Sequence, residues 1–466
     1  MNQTATKKQN ILGTAPIGGL IRKFAIPSII SLLINAIYNM TDQIFIGNVV
    51  GMIGNAATNV AFPSVTFTGA FAQLAGIGTA AGFNMCMGAK NEDEAKQYVG
   101  TGLALMGLLG LFILSVVLVF KMPILRLCGA TDSIMPYADS YLGITAFGYP
   151  LFLFTMASSV LIRADGSPKY SMSCMISGAV VNVFLDWLFM YPLGMGIKGA
   201  AIATVCGQAI SFAMCFCYFF RFKAFKITFG LLKPKLSRVF AISKLGASNC
   251  LNHALMMFVN IILNNTLSYY GGLSIYGTDI PLAVSGVLAK LNMILMSVSV
   301  GLAHGCQPIF SFNKGAKKYD RVKKAYVTAV KAVAVVGIVA FALFQLFPRQ
   351  ITGIFGEGSE LYFDFAEKYI RIYMMMVLVI GVQPLTTNYF TSTGCVKQGI
   401  FLSLTRQGLF LIPLLVLLPI SFGIDGALWA APIADAITFV VSITLVCRSF
   451  KNLNKLQKQN CCKTVD

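Results

Sequence analysis

The chain has 466 residues, of which 56% are hydrophobic, 12% aromatic and only 11% charged, with a mean hydropathy of +0.74. Soluble domains carry about 25% charged residues, so this composition argues against a soluble enzyme or a disordered chain. It argues against a transmembrane β-barrel as well, whose strands alternate apolar and polar residues, whereas these apolar runs are continuous. The class that remains is all-α: a polytopic helical membrane protein.

Apolar runs bounded by Gly, Pro or charge clusters predict twelve spans, near 22–47, 57–87, 97–120, 136–162, 170–192, 197–220, 244–270, 281–311, 322–347, 362–391, 398–419 and 426–447. The N-terminal tail, 1–21, has no short apolar core with a small-residue cleavage site, so it is expected to stay attached, with the first span as insertion signal. The first span carries Asp42 in NAIYNMTDQIFIG, either as a buried acid or at an outer helix end reaching water. The fifth carries Asn182 and Asp186 in VVNVFLDWLF, four apart and so on one face, where an amide and a carboxylate in hydrocarbon need a common partner. Packing through Asn alone is the plain alternative. After the sixth span comes a basic stretch, 221–243, expected to be a cytoplasmic linker between lobes 22–220 and 244–447, with a cytoplasmic tail at 448–466. In the second half, Lys290 (SGVLAKLNM) and Asp435 (APIADAITF) are intramembrane charges that pair with each other as easily for structure as for substrate. His253 and His304 are the only histidines and read as packed or interfacial residues, and the 21 methionines suit a deformable apolar cavity or ordinary filling.

Lys and Arg number 36 against 17 acids, a net charge of +19. With the N-terminus inside, 27 basic residues fall on the inner side and six on the outer, which places both termini in the cytoplasm and makes the excess an orienting signal facing anionic lipid. Nucleic acid is not needed to explain it. Acids such as Asp132, Asp139, Glu357, Glu360, Asp364 and Glu367 fall outside. The 12 cysteines sit mostly within apolar runs, and neither Cys215 with Cys217 nor Cys461 with Cys462 has convincing metal-ligand spacing.

The chain repeats itself. GAKNEDEAKQ from Gly88 matches GAKKYDRVKK from Gly315, and GMGIKGAAIATVCGQAISF from Gly194 matches SFGIDGALWAAPIADAITF from Ser421, both at an offset of 227. Gly166 and Lys169 align with Gly394 and Lys397 at 228. Two six-helix halves entering from the same side form a parallel repeat about an axis along the membrane normal, with a central cleft suited to alternating access. Asp435 falls on Gln208, whereas Asn182 falls on Leu409 or Phe410 and Asp186 on Pro413 or Leu414. The acidic face belongs to one half only, which favours a dedicated site in the N-terminal lobe.

The segments AIPSIISLLINAIYNMTDQIFIGNVVG, LIRADGSPKYSM, VVNVFLDWLFMYPLGMGIKGAAIAT and GLAHGCQPIFSFNKGAKKYDRV together resemble the multidrug and toxic compound extrusion (MATE) family, in particular MepA-type bacterial exporters. The resemblance covers nearly all of 15–450. It implies two six-helix bundles in a V, exporting bulky organic cations or drugs from the cell membrane in exchange for protons or sodium, with no cofactor and a monomeric chain. It assigns cation coupling to Asp42, Asn182 and Asp186, adds Thr204 in AAIAT, and matches Tyr141 loosely; any sodium would sit at Asp42, Asn182, Asp186 and Thr204. His304 departs from the small polar residue usual in its GLAxGxQP setting. An exporter or flippase of an endogenous lipid-linked or metabolite substrate is the rival on the same architecture, but it calls for a basic cleft, and the central spans offer few cations. No enzyme constellation, metal site or GxxxxGK[ST] phosphate loop appears.

Overall fold

The computed structural model describes residues 11–354 and 359–462. Lys7, Lys8, Glu357 and Lys463 lie outside them, as do the side chains of Cys461 and Cys462. The described residues form helices joined by short turns, with no strand among them. Continuous apolar sequence leaves the backbone no other way to satisfy its hydrogen bonds in lipid.

Nine long helices follow in order: α1 (Ile17–Val49), α2 (Met52–Gly88), α3 (Glu92–Val119), α4 (Met135–Ala164, through a 3-10 turn at Ala146–Gly148), α5 (Pro168–Met190), α6 (Gly196–Phe219), α7 (Leu236–Gly272), α8 (Asp279–Gly315) and α9 (Tyr319–Leu346). The tenth, α10, is broken: Glu360–Tyr373 and Val377–Ser392 meet at 46°. The remaining helical stretch folds back at Gly423, whose φ of 58° and ψ of −142° only glycine adopts readily, giving α11 (396–422) and α12 (424–462). All twelve expected spans are present. Most ends fall within five residues of the expected ones, and two lie further out. Helix α7 begins at Leu236 rather than 244, because Arg238 ion-pairs with Glu94 at 2.7 Å and lies over the Tyr98 ring at 5.2 Å, tying the end of the linker to α3. Helix α12 runs on to 462 because NLNKLQKQN is rich in helix-forming side chains and is held to α9, where Lys323 donates to Asn454 at 2.5 Å and Gln457 donates to Asp320.

The duplication is written in the backbone. Lys90 and Lys317, repeat partners at 227, are the two non-glycine residues with positive φ among the described residues, at 62° and 56°. Gly166 and Gly394 pair at φ 81° and 78°, and Gly196 and Gly423 at 56° and 58°. The first two pairs close helix ends in the same way: the N–H of Asn91, Lys318, Ser167 and Cys395 each donates five residues back, at 2.9 to 3.1 Å.

Helices α1 to α6 share one buried core, from Ile46 to Ile242. A second core joins Leu12, Leu20, Phe24 and Ala25 to α8, α9, α10 and α12. Helix α1 is therefore shared: its first half packs with the C-terminal half of the chain and its second half with α5. The two halves meet on the side that carries the chain termini, where glycines let backbones touch. A Cβ on Gly88 would lie 2.1 Å from the Phe312 carbonyl oxygen, and one on its repeat partner Gly315 would lie 2.0 Å from that of Met85. Gly78 and Gly246 bring α2 against α7, and Gly301 and Gly305 bring α8 against α1. Basic residues on the opposite side are matched by acids there. Lys121 meets Asp139 at 2.7 Å, Lys368 meets Asp425 at 2.6 Å, and Arg349 holds Glu360 (2.8 Å), Glu367 (2.7 Å) and Asp364.

Candidate functional site

Helix α1 carries a polar stripe, Asn35, Tyr38, Asn39 and Asp42, whose spacing of three and four puts it on one side of the helix. Asn39 donates to the Asn35 carbonyl oxygen at 2.7 Å. The stripe faces α5, whose Asn182 is 3% exposed and whose Asp186 is fully buried. The side chains of Asp42 and Asp186 are close neighbours, and Tyr38 lies within electrostatic reach of both. On the far wall, Tyr141 of α4 lies near Thr204 on α6 and near Asp42. Thr204 also donates to the Ala200 carbonyl oxygen, at 3.0 Å. The five residues singled out for coupling, Asp42, Tyr141, Asn182, Asp186 and Thr204, therefore converge from four helices.

The chemistry here is set by buried polar atoms without partners. Both oxygens of Asp186, Oδ1 of Asp42 and both polar atoms of Asn182 are buried without a hydrogen-bond partner in the protein. Leaving such atoms unmatched costs about 1–3 kcal/mol each, and more for a charged group. Two carboxyl groups side by side call for a proton on one of them or a cation between them. Below them lies a partly open cleft, lined among others by Asn35, Tyr38, Phe152, Met156, Asn182 and Gln208. Apolar and aromatic walls with a few amides suit a bulky organic ligand. Tyr38, Asn35 and Gln208 went unmarked in the sequence. The α1 stripe was visible as amides and a tyrosine at helical spacing around Asp42, whereas Gln208 stood out only as the partner of Asp435.

The second half is different. Asp435 does not pair with Lys290, which is exposed on α8. Its partner is Arg406 of α11, whose Nε donates to Oδ1 at 2.6 Å with both residues buried. The reason is geometric: α11 and α12 are antiparallel neighbours joined by the tight turn at Gly423, which brings 406 and 435 level. His253 and His304 are electrostatic neighbours, and His304 is buried where α8 crosses α1. Cys215 is buried against Cys174 while Cys217 is exposed, as their places on different helix faces require.

The MatE family pattern matches residues 27–188 and 249–417. The multidrug export protein MepA of Staphylococcus aureus (strain MSSA476) is 23% identical over 434 residues, 93% of this chain and 94% of that protein. MepA of Staphylococcus haemolyticus (strain JCSC1435) is 25% identical over 425 residues, covering 91% and 92%. Among solved structures, the outward-facing conformation of a multidrug resistance MATE family transporter of the MOP superfamily superposes with a TM-score of 0.89 at 21% identity, over 97% of this chain and 99% of that one. A MOP superfamily transporter from Pyrococcus furiosus, described as having a binding pocket of reverse polarity, superposes at 0.87 and 20% identity over 95% and 98%. With a family match across both halves and a shared helical architecture, the chain belongs to the MatE family and is a MATE transporter.

Proposed function

We propose that this transporter is a secondary active multidrug efflux antiporter of the cell membrane that exports organic cations in exchange for protons or sodium. The observation that carries the proposal is the Asp42–Asp186 pair, buried with unpartnered Asn182 above a largely apolar cavity. The site offers an exported cation a carboxylate, amide oxygens and aromatic walls, and the coupling ion competes for the same carboxylates. A proton on one carboxyl takes the pair from two negative charges to one and lets the two groups share a hydrogen bond. Sodium would draw on the oxygens of Asp42, Asn182, Asp186 and Thr204, a hard-donor set that fits it.

Coupling requires the ion to favour one arrangement of the lobes over the other. Helix α1 supports this, because the helix that bears Asp42 is packed at its other end into the core of the C-terminal half. A shift at Asp42 is thereby carried across the lobe boundary. The lobes are taken as 22–220 and 244–447, joined by the linker 221–243, and the 27 to 6 distribution of basic residues puts both termini in the cytoplasm. On that orientation the glycine crossings seal the cytoplasmic side, and the conformation faces outward. One chain holds both lobes and the whole site, so a monomer suffices. The direct test is ethidium efflux from proteoliposomes under an imposed proton gradient or an imposed sodium gradient. One of the two should drive transport in the wild type, and neither should drive it in Asp186→Asn; ion-driven transport by that variant would overturn the reading.

A further inference from the structure

The N-terminal cavity lies between α5 and α6, where it is lined by Gly178, Ala179 and Gln208. Those positions have defined equivalents in the other half. Arg406 falls on Gly178 at the offset of 228 and on Ala179 at 227, and Asp435 falls on Gln208 at 227. Where the first half has small residues and an amide, the second has a guanidinium held by a carboxylate at 2.6 Å, both buried. The local backbones differ to match. Around Gly178, α5 and α6 are in backbone contact, and a Cβ there would lie 2.7 Å from the Gly207 carbonyl oxygen. Around Arg406, Thr405–Leu411 winds as a π-helix, a widened turn that makes room for a large side chain and is often found at functional sites. Tyr373, at the break in α10, lies within electrostatic reach of both charges, and the Gln407 and Thr438 oxygens beside them are buried without partners.

We propose that Arg406 is a tethered cation: its guanidinium fills, in the C-terminal lobe, the place that a free cation takes in the N-terminal lobe, so that Asp435 is permanently satisfied and free cations bind in one lobe only. Arg406 is thus a specificity-determining residue. It leaves one lobe with an open cation site and the other with a self-filled one. The inference rests on the cation-binding reading of the N-terminal cavity. The C-terminal site itself is defined by Arg406, Asp435 and their repeat partners, so it can be tested by binding alone, with no transport measured.

Removing the tether should leave a vacant carboxylate in a guanidinium-shaped space. The probe is ethylguanidinium, read as the thermal-melting shift it produces in purified Arg406→Ala, in the wild type and in Arg406→Ala/Asp435→Asn. A shift of several degrees confined to Arg406→Ala is expected. No shift in Arg406→Ala, or an equal shift in the double variant, overturns the proposal. If Arg406→Ala is recovered folded only when ethylguanidinium is present during purification, that dependence supports the proposal. Failure to recover it even then, while the double variant folds, overturns it. A second arm counts ethidium bound per chain. It should rise from one in the wild type to two in Arg406→Ala, and Asp186→Asn should remove only the first. Loss of binding at the N-terminal cavity with retention of the ethylguanidinium shift would break the export reading while leaving the tether intact.

Discussion

The α5–α6 pair and the α11–α12 pair descend from one plan, yet they do opposite things with charge. In the first, Asp186 and Asn182 are buried with nothing in the protein to answer them. In the second, Leu409 or Phe410 and Pro413 or Leu414 replace the polar face, and the one acid, Asp435, is answered by Arg406. The backbones still agree at Lys90 and Lys317, at Gly166 and Gly394, and at Gly196 and Gly423. Architecture and function are thus separable here. The helical frame and its caps survive duplication, while a few side chains decide which lobe has an open site.

The contrast can be broken most severely at Asp186. Asp186→Asn removes the titratable group from the open site and should reduce ion-driven efflux to background, with the protein still folded by circular dichroism. The equivalent substitution at its repeat partner at 228, Leu414→Asn, should leave efflux near wild type, and equal loss in both would mean that the lobes are not functionally distinct. Next in size is the closed site. Arg406→Met leaves a buried carboxylate without its partner and should destabilise by about 3–5 kcal/mol in denaturant titration. Arg406→Met/Asp435→Leu should recover most of that, because replacing both partners of a buried pair with apolar groups is often neutral.

A further asymmetry lies at the turn after α4. Asp165 accepts from the Tyr218 hydroxyl at 2.7 Å and from the backbone N–H of Lys223 and Ala224 at 2.7 and 3.0 Å, fastening the start of the linker. Its repeat partner at 228, Thr393, merely donates to its own helix at the Tyr389 carbonyl oxygen, 2.8 Å away. Burial pushes the Asp165 carboxyl up from 3.8 to about 6, against the pull of those donors. Because the folded value is raised, this group favours the fold most below pH 3.8, and its contribution declines as pH rises to about 6. Melting between about pH 4 and pH 7 should therefore fall more steeply for the wild type than for Asp165→Asn, by up to roughly 3 kcal/mol at about 1.4 kcal/mol per unit. Parallel curves would remove the asymmetry. The smallest effect is expected where the lobes are alike. Gly88→Ala and Gly315→Ala each place a methyl group against a backbone carbonyl and should each cost about 1–3 kcal/mol in thermal or denaturant melts. A large difference between the two would show that the crossing is not symmetric.

The fold was largely legible because its signals are additive along the chain. Hydropathy marks the spans, Gly and Pro mark the breaks, and the basic residues accumulate on alternate loops. The open site was legible for a related reason: in hydrocarbon every buried acid is conspicuous, so Asp42 and Asp186 announced themselves. Lys290 and Asp435 show where this reading stops. Hydropathy finds intramembrane charges but says nothing of which neighbour each one meets, and Arg406, set in a polar SLTRQG stretch, looked less conspicuous than Lys290. The same limit hid the break in α10, where MMMVLVIG is apolar throughout and carries no Pro.

The sequence by itself determined the membrane class, the twelve helices, the duplication and the one-sided acidic face, because each depends on composition or on spacing along one element. Only the tertiary structure decided that Arg406 answers Asp435, that Asp42 and Asp186 touch, and that α1 belongs to both cores. Those facts depend on how helices far apart in sequence rotate and cross, and that is governed by side-chain volume and backbone contact at glycines such as Gly88 and Gly315, which no single segment encodes.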